Sequence, residues 1–394
     1  MSDAPERYLR LGLRLGRHVD GIVDAYFGPP ELSAAVEAET PVDPRTLVAD
    51  AEALLEELDD GWLRDQVAGL RTYAAVLAGE SSSYADEVEA CYGVRPKYTD
   101  EDVFVASHER LEELLPGPGS LGERKKHWEA SIRVPSDQIE ATIGAVIEEA
   151  RAQTRSLVRL PEGEDVLVEA VRDKPWWASC DYLGGLRSRI AVNLDLPLSA
   201  FELLVLAIHE TYPGHHTERC SKEHLLVRGR GQLEETLAIV PTPQTLITEG
   251  IAGLAPSILL ESEGGPALVA VVHDAGLPLD LAHALAVQRA SEPCRWAEVN
   301  AALLLHEDGA SDADVQAYLE RWGLAAPELA AHLVRFVREP TTRTYICTYA
   351  PGRELCQSYV ADEPGRFHQL LTEQVRVRDL LEARGTNASN SPDA

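Results

Sequence analysis

The stretch Ser199-Ala200-Phe201-Glu202-Leu203-Leu204-Val205-Leu206-Ala207-Ile208-His209-Glu210-Thr211-Tyr212-Pro213-Gly214-His215-His216 decides the reading of this chain. Ser199 with Glu202 is a capping box, and Leu198 with Leu203 can staple the same helix start. The run from Phe201 to Ile208 is apolar nearly all round, so its helix is expected to be buried. Yet His209, Glu210, His215 and His216 stand together at its end. Burying such a cluster is costly unless something uses its charges and lone pairs. A metal ion is the simplest user.

The spacing demands a break. Two histidines four residues apart on a helix lie within about 40° of each other, as in metal-binding helices. In an unbroken helix His209 and His215 would lie about 120° apart, whereas His216 would come within about 20° of His209. But Pro213 removes a backbone bond and clashes with the preceding turn, and Gly214 adds freedom at the same place. The helix therefore has to kink or bulge between the histidines, and spacing leaves His215 and His216 both open as the second ligand. A zinc site takes three protein ligands and one open position. Thr242-Pro243 reads as an N-cap followed by Pro at the first helical position. The helix it starts carries Glu249, then Gly250, Ala252 and Gly253, small enough to pack closely against the histidine helix. Glu249 is the expected third ligand.

Outward from the motif, the chain reads as mainly α. Residues 4–158 alternate helical patterns with breaks such as Gly28-Pro29-Pro30 and Pro116-Gly117-Pro118-Gly119. Ile139, Ile143, Val146, Ile147 and Ala150 mark one buried helical face. Val166–Val171 and Arg189–Leu194 read as strands, with Pro175-Trp176-Trp177 and Gly184-Gly185 between them. Such a sheet offers either an edge for an extended peptide or a hairpin that closes the core. Helices resume to about Ala383, and Arg384–Ala394 reads as a polar, disordered tail. The expected division is 1–158, an N-terminal helical region; 159–383, the metal-binding region; and 384–394, the tail.

Composition narrows the function classes. The 394 residues allow a large core and one to three domains. Hydrophobic residues at 45% and charged ones at 26% suit a soluble globular protein. Acidic residues number 65 against 36 basic, a formal charge of −29. That argues against nucleic acid, which needs a basic stripe, and against an anionic membrane surface. The six cysteines form no Cys-x-x-Cys pair and read as reduced thiols. No long apolar run follows Met1–Arg7, so no signal peptide or membrane span is expected, and the expected location is the cytoplasm.

The segment His209–His216, followed by Thr248-Glu249-Gly250, resembles the bacterial family called domain of unknown function 885, over roughly residues 160–360. The resemblance implies a multi-helix, zincin-like metallopeptidase fold of the Glu-ligand class. It would have a small β-sheet beside the metal-binding helix and a central cleft, with the N-terminal region as one wall. In the family the His directly after Pro-Gly is the constant one, which implies His215 as the ligand and His216 as a cleft residue. Glu249 matches the family's downstream Glu. Leu303–Ser311, around His306, resembles another family segment, with Ala302 where the family usually has Asp. Tyr349-Ala350-Pro351-Gly352-Arg353 resembles its C-terminal Pro-Gly segment, with Arg353 in place of the usual Gln. The chain is shorter than most members, which implies a reduced N-terminal wall.

The expected chemistry is a zinc-dependent hydrolase acting on a short peptide or small amide. One Zn2+ ion would be held by His209, His215 and Glu249, with Glu210 as general base. Tyr345, Tyr349 and His306 are candidate donors to an oxyanion. Arg343 and Arg353 are candidates to hold a substrate carboxylate, and His216 to line the cleft. His224, His273 and His283 read as structural or surface residues. Two other readings stand beside this one: a metal-dependent amide hydrolase or lyase acting on a small metabolite, and a helical binding protein with a vestigial site.

Overall fold

The helix signals in the sequence act locally, and most of the chain follows them. Ser199 accepts from the Glu202 amide while Glu202 reaches back to the Ser199 amide, a closed capping box. Helix Ile139–Thr154 buries Ile139, Ile143, Val146, Ile147 and Ala150, the stripe expected from their spacing. Pro243 opens helix Pro243–Leu260, but the Thr242 hydroxyl donates backward to the Ile239 carbonyl rather than capping the helix. A computed structural model describes residues 4–174, 177–361, 363 and 365–389. It is mainly helical, from Ala4–Gly16 to Val377–Ser389, with two small sheets. Among the described residues no helix is long and apolar enough to cross a membrane.

The strands are β1 (Val23–Tyr26), β2 (Asp165–Val171), β3 (Ala178–Gly184), β4 (Arg187–Asn193) and β5 (Leu237–Ile239). The larger sheet has the order β2-β4-β3. β2 runs parallel to β4, in register from Asp165 opposite Arg187 to Val171 opposite Asn193. β3 runs antiparallel to β4. β2 and β4 were expected from the sequence and β3 was not, although Ala178, Cys180 and Tyr182 alternate with Ser179 and Asp181; the run is short, built of small residues and follows Pro175-Trp176-Trp177 directly. Its pairing is set by the turn instead. Gly184, Gly185 and Leu186 all take positive φ, at 72°, 66° and 65°, which folds β3 back onto β4. β1 and β5 form the second, antiparallel sheet, tying the N-terminal helices to the segment before helix Pro243–Leu260.

Two apolar clusters carry most of the burial. One joins helix Ile139–Thr154 to the motif helix Ala200–Glu210, helix Pro243–Leu260 and helix Ile346–Val360. The other joins Tyr8, Leu9, Leu47 and Leu70 to Leu237 and Ile239 of β5. The small residues after Glu249 do not all serve the contact expected of them. Gly250 and Gly253 face helix Ile346–Val360, not the motif helix. A Cβ on Gly250 would sit 2.4 Å from the Gly352 carbonyl oxygen, and one on Gly352 would sit 2.4 Å from that of Leu246. These two backbones touch because neither glycine carries a side chain. All six cysteines are free thiols. The last helix continues to Ser389, beyond the boundary expected near Ala383, because polar residues still complete i to i+4 backbone bonds. The rest of the expected tail, 390–394, lies outside the described residues, as do Pro175 and Trp176.

Candidate metal centre

The motif helix ends at Glu210, and a new helix, His215–Lys222, begins five residues later. The break between them is closely built. The Tyr212–Pro213 peptide is cis. The Thr211 carbonyl, which the first helix no longer uses, accepts from the Thr217 amide and hydroxyl, both at 3.1 Å. Gly214 lies against the end of the first helix, where an added Cβ would be 1.8 Å from the His209 carbonyl oxygen. The His209 and His215 rings can meet because Gly214 lets the backbone double back. Their centroids are 4.8 Å apart and nearly perpendicular.

Helix Pro243–Leu260 delivers Glu249 to the same point. Its Oε2 lies 3.8 Å from His209 Nε2, and its Oε1 lies 3.5 Å from His215 Nε2. One ligand atom from each of His209, His215 and Glu249 falls within 4.8 Å of the others. The Tyr345 hydroxyl donates to Glu249 Oε1 at 2.5 Å. Glu249 Oε2 is buried and accepts no hydrogen bond from any described residue. A buried carboxylate oxygen without a donor is costly, and a cation between the two imidazoles would satisfy it. The donor set of two imidazoles and one carboxylate suits zinc, and also other divalent ions.

The electrostatics of these side chains agree with the geometry. Burial drives His209 well below the usual histidine range, assisted by His215 and Arg295 and opposed by a hydrogen bond with the Ala252 backbone. Burial, with help from Arg219, lowers His215 to about 3. Both rings are therefore neutral, the form that coordinates a metal. Burial raises Glu249 to about 7, despite the Tyr345 hydrogen bond. Burial, Glu249, Asp24 and Asp181 raise Glu210 to about 8. Two carboxyl groups held near neutrality beside two neutral imidazoles form a site short of positive charge.

All four residues line a cavity of about 220 Å3. Its other walls include Tyr345 and Tyr349 and strand β3 from Ala178 to Tyr182. β3 is one edge of its sheet and forms an antiparallel hairpin with β4. Tyr349 packs edge-on against Tyr345 at 5.3 Å, and its hydroxyl makes no hydrogen bond to a described residue. Tyr345 is engaged with Glu249, so its hydroxyl holds that carboxylate and is not free in the cavity.

Four anticipated site residues lie elsewhere. His216 is fully buried, with Nδ1 2.8 Å from Ser188 Oγ and Nε2 3.1 Å from Glu164 Oε2. Tyr212 and Arg151 bind the same Glu164. His216 therefore anchors the break from behind and does not line the cavity. His306 stacks on Tyr84 at 4.6 Å and bonds the Val337 carbonyl. Arg343 pairs with Glu87 at 3.0 Å. Arg353 bonds Gly253 O and Ser257 Oγ and pairs with Glu292. Each has its partners within the fold, far enough from the cavity that none lines it.

Three charged residues that do line it had not been singled out: Asp24 on β1, Asp181 on β3, and Arg219 one turn after His215. Only the position of Arg219 was readable beforehand, since residues four apart share a helix face.

No protein-family model matches this chain, and no curated protein sequence does. Solved structures do resemble it. A protein described as a lipoprotein from Colwellia psychrerythraea matches 88% of this chain and 67% of its own, with 17% identity and a TM-score of 0.54. A protein of unknown function from Shewanella oneidensis, also described as a lipoprotein, matches 90% of this chain and 67% of its own, with 12% identity and a TM-score of 0.55. An M32 carboxypeptidase from Deinococcus radiodurans R1 aligns over 97% of this chain and 89% of its own at 12% identity, but its TM-score of 0.39 is too slight to mean a shared fold. At these identities the first two likenesses concern the fold alone: this chain shares its helical architecture with about two thirds of the length of each of those proteins.

Proposed function

We propose that this chain is a metal-dependent hydrolase of the zincin-like, Glu-ligand class, related to the domain of unknown function 885, and that it cleaves amide bonds of short peptides. One observation carries the reading: His209, His215 and Glu249 converge within 4.8 Å, with Glu210 in the same cavity. These three residues would hold one zinc ion, which supplies Lewis acidity at neutral pH. Glu210 takes the proton of the attacking water and returns it to the leaving amine, a task suited to a carboxyl group poised near neutrality. The free hydroxyl of Tyr349 donates to the oxygen that gains charge. Tyr345 keeps Glu249 oriented. The open edge of β3 pairs with an extended substrate backbone. The cavity's modest volume favours small substrates, and it equally suits the amide of a small metabolite, the second reading.

The test is Glu210→Gln. The variant should retain one metal ion per chain by elemental analysis and lose about 10²–10⁴-fold in turnover of a peptide library. Turnover at the parent rate would remove Glu210 from the mechanism. A metal stoichiometry near zero in the parent after zinc loading would remove the reading altogether.

A further inference from the structure

The cavity holds one cation among its described side chains, and that cation is poorly used. Arg219 lies on helix His215–Lys222 with its side chain 13% exposed. Its guanidinium makes no hydrogen bond to any described residue, and the nearest carboxylate oxygen, Asp24 Oδ2, is 4.0 Å away. Asp24 is itself 59% exposed. Neighbouring acids have partners of their own. Glu218 Oε1 binds Lys222, Gln244 and Thr248 while its buried Oε2 makes no hydrogen bond, and Glu235 binds Gln374; both act on Arg219 by charge, but neither is hydrogen-bonded to it. A guanidinium carries five donors in a fixed fork that matches a carboxylate. Leaving them unmade in a mostly enclosed cavity is unfavourable, and an anionic group entering the cavity would satisfy them.

Position defines what that group is. Arg219 follows His215 by one helical turn, about 6 Å along the axis. An extended chain advances about 3.3–3.6 Å per residue. A carboxylate one or two residues beyond a carbonyl held at the His209–His215–Glu249 point therefore falls within reach of the guanidinium. We propose that Arg219 is the specificity-determining residue of this cavity and receives the free terminal carboxylate of the substrate, which makes the protein an exopeptidase or dipeptidase rather than an endopeptidase. The inference rests on the hydrolase reading for the position of the reacting carbonyl. Asp24 competes weakly for the guanidinium in the empty cavity and yields it to substrate.

Binding tests this without turnover. Zinc-loaded Glu210→Gln protein is titrated calorimetrically with an N-acetyl dipeptide, with its C-terminal amide, and with an amide ending in glutamate, which carries the carboxylate on a side chain. The free acid should bind at least tenfold more tightly than its plain amide. Arg219→Gln should abolish that advantage, Arg219→Lys should restore part of it, and Asp24→Asn should enlarge it. Asp24→Asn changes an exposed side chain, so it reports even if the arginine variants fold poorly. Equal binding of acid and amide, no binding of either, or an acid advantage that survives in Arg219→Gln overturns the proposal. So does a preference for the glutamate amide over the free acid, which would assign the arginine to a side-chain pocket. Failure of the hydrolase reading is read separately, from the zinc content and peptide turnover of the parent protein.

Discussion

Replacing Gly214 with Ala tests how the two histidines are brought together. The added methyl would lie 1.8 Å from the His209 carbonyl oxygen and 2.6 Å from both the His209 carbonyl carbon and the Ile208 carbonyl oxygen. All three are backbone atoms at the end of a buried helix, so no side chain can swing aside. Reaching the 3.4 Å of ordinary contact needs a shift of 3.4 − 1.8 = 1.6 Å. Metal–ligand distances tolerate about 0.2 Å, so either His209 or His215 leaves the site. Losing alignment of one of three ligands should weaken zinc binding by at least about 100-fold, beyond the 10–100-fold typical when a supporting residue is lost. Overpacking costs about 1–3 kcal/mol, offset by about 0.4–1 kcal/mol from the stiffer unfolded chain. The assay is zinc affinity against a competing chelator, with the unfolding midpoint of the metal-free protein measured alongside. Gly144→Ala is the control: it lies within helix Ile139–Thr154, and its Cβ would meet nothing within 4 Å. It should leave zinc binding intact and stabilise the helix by up to about 1 kcal/mol. The reasoning fails if Gly214→Ala binds zinc within about threefold of the parent and unfolds at the same midpoint.

Two further outcomes follow from the surroundings of the ligands. His215→Ala should strip metal with little effect on the metal-free midpoint. His216→Ala should instead lower the stability of the metal-free protein by about 1–3 kcal/mol, since it takes one hydrogen bond from the buried Glu164, which keeps Tyr212 and Arg151, and removes the His216 bond of the buried Ser188; equal metal loss with unchanged midpoints in both would contradict these roles. The metal-free protein should also respond to pH in two opposed limbs. Glu249 and Glu210 are raised from 4.5 to about 7 and about 8, so between about pH 4.5 and 8 the native state binds more protons than the unfolded one, and stability falls as pH rises. His215 is lowered from 6.5 to about 3, so between those values the unfolded state binds more protons, and stability falls as pH drops. Denaturation at stepped pH should show both limbs, with zinc removing the alkaline one and Glu210→Gln reducing it. A metal-free midpoint that climbs steadily from pH 5 to 8.5 would refute this account.

Local chemistry carries much of the site. The capping box at Ser199, the apolar run to Ile208 and the Pro213-Gly214 break are read within a turn or two, because backbone bonds close over four residues. A buried helix ending in His and Glu announces a site before any fold is known, since such groups are expensive to bury unused. Glu249 was within reach for the same reason: it sits in an apolar, glycine-bearing helix where an unpaired carboxylate would be out of place. Which side chains share a space depends on long-range packing. His216 follows His215 directly, yet the turn of the helix sends it to Glu164 and Ser188 on the far side. Arg343 and Arg353 looked available until Glu87, Gly253 and Glu292 claimed them. Asp24 and Asp181 reach the cavity only because β1 and β3, distant from the motif along the chain, pack beside it. No spacing rule specifies such meetings, since they depend on the summed packing of many elements. That is why the His-Glu motif was legible and the charged wall of the cavity was not.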